Sequence, residues 1–123
     1  MSKISSITFH QIDQHTLKAE LLLDTQKKYS TYIKSDYPEA NPTKAINVVN
    51  RLINPHFKNL QLKHIKHLDN MLSTLVELEI SHIGSFNITF PISELLWQAF
   101  STETQTDLSE LFDLSPNITT KLP

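Results

Sequence analysis

Cysteine is missing from this sequence altogether. That excludes disulfides, thiolate-bound zinc, iron–sulfur clusters and a thiol nucleophile. Glycine is nearly missing as well, Gly84 being the only one. Loops that cradle phosphates rely on several glycines to bring backbone close to the ligand, so neither a P-loop nor a dinucleotide fingerprint can be built here. No apolar run approaches the ~18 residues of a membrane span. Residues 1–5, Met-Ser-Lys-Ile-Ser, carry neither the apolar stretch nor the small-residue site of a secretory signal. The expectation is a cytoplasmic chain with no membrane association. One further absence is regional: no basic residue occurs between Lys66 and Lys121.

What remains has globular proportions. The 123 residues are 39% hydrophobic and 20% charged, enough for one core, and no repeat or second composition divides them. The chain is read as a single domain over residues 1–123. Apolar alternation predicts a hairpin of residues 6–11 and 17–23, with Leu17, Ala19, Leu21 and Leu23 on one face and the turn at Asp13-Gln14-His15-Thr16. The spacing of Tyr29, Tyr32 and Ile33 predicts a helix over 25–34. Asn41 as a cap, Pro42 in the first turn and the stripe Ala45, Ile46, Val49, Leu52 and Ile53 predict another, stopped at Asn54-Pro55.

Residues 60–68 fit either a helix or a strand, and the strand is preferred because the next segment has a strand-like pattern that could pair with it. Val76, Leu78 and Ile80, then Phe86, Ile88 and Phe90, alternate as in a second hairpin, with Gly84 as the left-handed residue of a three-residue loop. Lys63 would then lie opposite Glu77 or Glu79. Ser93 caps a helix carrying Leu95, Leu96, Trp97, Ala99 and Phe100. A linker over 101–105 leads to a short helix with Leu108, Leu111 and Phe112 on one face. The expected architecture is α+β: a mainly antiparallel sheet of about five strands with three to four helices packed on it.

Charge is segregated along the chain. Residues 1–66 hold ten Lys or Arg against five acids, whereas residues 67–123 hold one, Lys121, against eight. The acids Glu94, Glu103, Asp107, Glu110 and Asp113 fall in a stretch with no basic residue. With Leu108, Leu111 and Phe112 they make a candidate surface for a basic protein partner, because complementary charge speeds and selects association. The plainer alternatives are that the two halves neutralise each other in the fold, and that the apolar trio packs on its own core. Oppositely charged halves also allow head-to-tail self-association.

Catalytic chemistry has weaker support. His64 and His67 share a face on a helix but not on a strand, and two ligands fall short of the three or four that a zinc site needs. His64, His67 or His82 with Glu77 or Glu79 would suffice for acid–base hydrolysis of a phosphodiester, though no spacing singles them out. The run Lys27-Lys28-Tyr29-Ser30-Thr31-Tyr32-Ile33-Lys34 interleaves cations with aromatics, as single-strand binders do. A helix with buried tyrosines and a pI near 6.3 argue against nucleic acid. The expectation is therefore a non-catalytic protein-binding module of the small inhibitor or immunity type, with no cofactor or metal. The alternative is a small hydrolase or nuclease working through His and Glu.

Overall fold

The computed structural model describes residues 1–79 and 83–104. It is α+β. Three antiparallel strands, β1 (Ile4–Asp13), β2 (Thr16–Leu23) and β3 (Lys28–Lys34), form one sheet in the order β1-β2-β3. Three helical stretches follow. The first is α1 (Pro42–Val48), a π-helical turn (Val49–Ile53) and α2 (Asn54–Phe57). A 3-10 turn (Leu62–His64) then opens α3 (Ile65–Leu78), and α4 (Thr89–Thr104) comes last. The helices cover one face of the sheet, and the buried hydrophobic residues form one contiguous cluster between the layers.

The first hairpin is as expected, with two refinements. β1 carries an extra residue at Ser5 and at Ile12, where its pairing with β2 slips by one. A bulge reverses which way the following side chains point. The one at Ser5 is what lets Ile4, Ile7 and Phe9 all face the core despite their odd spacing. At the turn, Asp13 Oδ1 accepts from the His15 N–H at 2.9 Å.

β3 replaces the helix expected over 25–34. Tyr29, Tyr32 and Ile33 have helical spacing, but the same run also alternates. Tyr29, Thr31 and Ile33 face the helices, while Lys28, Ser30, Tyr32 and Lys34 are turned away. Its β-branched and aromatic residues suit a pleated surface, and β2 supplies a partner in register from Leu22↔Lys28 to Thr16↔Lys34. The connecting loop is Asp24-Thr25-Gln26-Lys27. Gln26 N–H donates to Leu23 O at 3.0 Å, Leu23 N–H donates to Lys27 O at 2.9 Å, and Gln26 has φ 74°.

Asn41 caps α1 as expected, accepting from Lys44 N–H at 3.2 Å, with Pro42 at the first position. Asn54-Pro55 does not stop the helix. Pro55 cannot donate to a carbonyl four residues back, and the chain widens into a π turn before it, where Asn54 N–H reaches Val49 O. Helical backbone then runs on to Phe57, and Asn59 ends it with φ 70°.

The second hairpin is absent among the described residues. Leu62, Ile65, Leu68, Leu72, Leu75 and Val76 are all buried along one helical stripe through the 3-10 turn and α3, and that stripe overrides the short alternation at 76–80. The preferred strand over 60–68 survives only at its start, where Gln61 bridges Lys3. Ile4 N–H donates to Leu60 O, and Leu62 N–H donates to Ser2 O, each at 2.9 Å. This short pairing covers the end of edge strand β1. Further along, Asn54 Oδ1 takes the Ile7 N–H at 2.8 Å. Among the described residues the sheet therefore has three strands rather than about five.

Pro91, expected to end a strand, lies in the first turn of α4, where its missing N–H leaves no bond unmade. Ser93, expected to cap, sits inside α4 and donates to Asp69 Oδ1 at 2.6 Å, tying α4 to α3. The linker expected from residue 101 remains helical to Thr104. Gly84 does adopt a left-handed φ of 66°, but in a loop docked on α1. Its carbonyl takes the Asn41 N–H at 2.9 Å, and a Cβ there would stand 2.1 Å from the Asn41 carbonyl oxygen.

Candidate binding surfaces

The described helices leave the other face of the sheet uncovered. Cross-strand register places its side chains on a grid. His10, Lys18 and Tyr32 form one row across β1, β2 and β3; Thr8, Glu20 and Ser30 form the next; Ser6, Leu22 and Lys28 the third. Asp13, Thr16 and Lys34 form the last row. Tyr32 is 61% exposed. Glu20 is the central acid, with His10 Nε2 at 3.4 Å and Lys18 Nζ at 3.5 Å. Burial pushes its pKa up, but Lys28, His10 and Lys18 outweigh burial and hold the carboxyl below its ordinary value. Lys28 and Lys34 stand at the two ends of β3, neither within 4.0 Å of a described carboxylate, though Lys28 acts on Glu20 from further away.

A second basic surface surrounds the start of α3. Lys63, His64, Ile65, Lys66 and His67 line a shallow open groove of about 360 Å³ with the half-buried Phe100. His64 and His67 thus belong to a helical turn, which corrects the strand reading. Among the described residues, no group of three or more His, Cys, Asp or Glu is arranged to hold a metal. The residues that sequence offers for acid–base work are not brought together. Glu77 lies at the far end of α3, about 20 Å from His64 and about 15 Å from His67 by helical rise, and Glu79 pairs with Arg51. Lys63 is correspondingly far from both acids. The His–Glu pair that the fold does make, His10–Glu20, is one that sequence spacing gives no reason to choose.

The expected partner-binding residues divide between described and undescribed parts of the chain. Glu94 is exposed on α4. Glu103 is turned inward: it accepts from Ser2 N–H at 2.9 Å, and its other oxygen takes the Ser2 hydroxyl. Asp107, Leu108, Glu110, Leu111, Phe112 and Asp113 lie outside the described residues, as does His82. Two hydrophobic side chains missed in the sequence stand beside acids. Leu78 follows Glu77 and is 72% exposed; Phe90, 67% exposed, is one turn before Glu94.

Arg51–Glu79 is the single ion pair between the basic and acidic halves among the described residues. No helix among them is long and apolar enough to cross a membrane. No protein-family model matches the chain, and no curated protein is significantly similar to it.

Proposed function

We propose that this chain is a non-catalytic binding module that engages a basic protein through its acidic end, in the manner of a small cytoplasmic inhibitor or immunity-type protein. The observation that carries the reading is the charge segregation, which persists among the described residues instead of being neutralised across the core. The contact surface comprises Glu77, Glu94 and the neighbouring exposed Leu78 and Phe90, and Asp107, Leu108, Glu110, Leu111, Phe112 and Asp113 are assigned to it from the sequence alone. Apolar anchors ringed by charge are the usual anatomy of a protein contact. Glu103 serves the fold through Ser2 and drops out of that surface.

The test is affinity capture from the native lysate at low and moderate salt, comparing the natural chain with the Glu77→Gln/Glu94→Gln/Phe90→Ala variant. Titration of the purified captured protein comes next. One stoichiometric basic protein, weakened by salt and lost in the variant, is expected. No such protein at low salt, or capture indifferent to the variant, rejects the reading.

One observation favours a reading from another class. His10 and Glu20 are paired beside Lys18, the minimal set for acid–base cleavage of a phosphodiester with a cation on the phosphate. Hydrolysis of an RNA or DNA substrate that disappears in both His10→Ala and Glu20→Gln would favour that enzyme over the binding module.

A further inference from the structure

We infer that the open face of the sheet is a binding surface for single-stranded nucleic acid, with Tyr32 as its stacking platform and Lys18, Lys28 and Lys34 as its phosphate contacts. A helical reading of residues 27–34 buries the tyrosines and scatters the lysines around a cylinder. The strand does the opposite. Lys28, Ser30, Tyr32 and Lys34 project from one side of β3, successive members about 6.6 Å apart. This spacing is comparable to the repeat of an extended nucleotide chain.

Three features commit the face to this occupant. The first is charge. Lys18, Lys28 and Lys34 share the face with two acids, Asp13 in the row of Lys34 and Glu20, which His10 and Lys18 pair and on which Lys28 also acts, so the face keeps an excess of one lysine for an anionic partner. The second is the exposed ring. Tyr32 lies beside Lys18 in the register and between Ser30 and Lys34 along the strand, so a base stacked on it places its phosphates within reach of both lysines. The third is shape. A three-stranded face uncovered by the described helices leaves bases accessible for stacking, as sheet-based RNA binders do. An acidic peptide would use the same lysines but would gain little from the ring. The chain's overall charge of −2 does not oppose this, because the described acids of its second half belong to α3, its C-terminal end and α4 rather than to the sheet.

The experiment is fluorescence anisotropy with labelled oligo(U) and oligo(dT) of about 12 nucleotides, using the full chain in low salt. Binding is expected with Kd between about 1 and 100 µM, and log K should fall against log salt with a slope of about −2 for three phosphate contacts. Tyr32→Ala is expected to weaken binding about tenfold, while Tyr32→Trp retains it. Lys28→Gln/Lys34→Gln should flatten the salt slope to about −0.7. These side chains are exposed, so circular dichroism should show the variants folded. Absence of binding at low salt overturns the proposal. So does a Tyr32→Ala variant that binds like the natural chain, or polyglutamate binding as tightly as the oligonucleotides, either of which would mark an unspecific polyanion surface. The Glu77/Glu94/Phe90 variant should bind the oligonucleotides unchanged, so this proposal and the protein-binding reading fail separately.

Discussion

Gln26 and Gly84 have nearly the same positive φ, 74° and 66°, and opposite tolerances. Gln26 is exposed in the β2–β3 loop, at the left-handed position where hairpins of this type favour glycine. A side chain there costs about 1–2 kcal/mol, partly offset by the greater freedom that glycine gives the unfolded chain. Gln26→Gly should therefore stabilise by about 0.5–1 kcal/mol in urea denaturation; a loss of stability would contradict the loop geometry. Gly84 is constrained twice, by φ and by the Asn41 carbonyl 2.1 Å from any added Cβ. Gly84→Ala should cost at least about 1–3 kcal/mol, because the loop must leave the cap of α1. Glu20 makes a pH prediction. Its folded pKa lies below the ordinary 4.5, so its contribution to stability is full above that value and is lost as pH falls through the lower folded value. The stability gap between the natural chain and Glu20→Gln, about 0.2–1 kcal/mol at neutral pH, should close in acid.

At the scale of elements, α3 is charged against its own dipole. Lys66 and His67 occupy its first turn, with no acid there and no side-chain cap, while Glu77 lies in its last turn and Glu79 at its end. The charges of Lys66 and Glu77 each oppose the partial charge of their helix end by about 0.3–1 kcal/mol. Lys66→Glu should raise the melting temperature, most clearly at low salt; an unchanged or lower value would show that the groove needs the lysine for packing. Legibility also divides by element. The first hairpin and the capped start of α1 are readable because adjacent residues decide them. β3 is not, since Tyr29, Tyr32 and Ile33 satisfy both periods and only the register with β2 selects one. Over 60–90, Val76, Leu78 and Ile80 mimic a strand, but they are outweighed by a buried stripe that begins fourteen residues earlier at Leu62. The open face is hidden for the same reason. Lys18 and Tyr32 become neighbours only through pairing, whereas the charge segregation needs only counting.

Across the whole molecule, the first residues and the last described helix hold each other. Ser2 donates both its N–H and its hydroxyl to the Glu103 carboxylate, while its carbonyl takes the Leu62 N–H at 2.9 Å. One carboxylate thus joins the entry of β1 to α4 and, through residues 60–62, to the start of α3. Hydrogen bonds to a charged group contribute about 1.5–3 kcal/mol each when shielded, and less at this half-buried position. Glu103→Gln keeps the shape and one acceptor oxygen but removes the charge. It should lower stability by about 1–2 kcal/mol and speed hydrogen exchange of the Ile4 and Leu62 amides, whose bonds depend on the N-terminus staying docked. Exchange elsewhere on β2 and β3 should change only through global stability. If Glu103→Gln leaves both stability and exchange unaltered, the carboxylate is not what docks the N-terminus, and Glu103 returns to the set of acids available to a partner. If stability falls while capture of a basic protein is preserved, the structural and binding roles of the acidic half are separated, with Glu94 and the exposed Phe90 left to account for recognition.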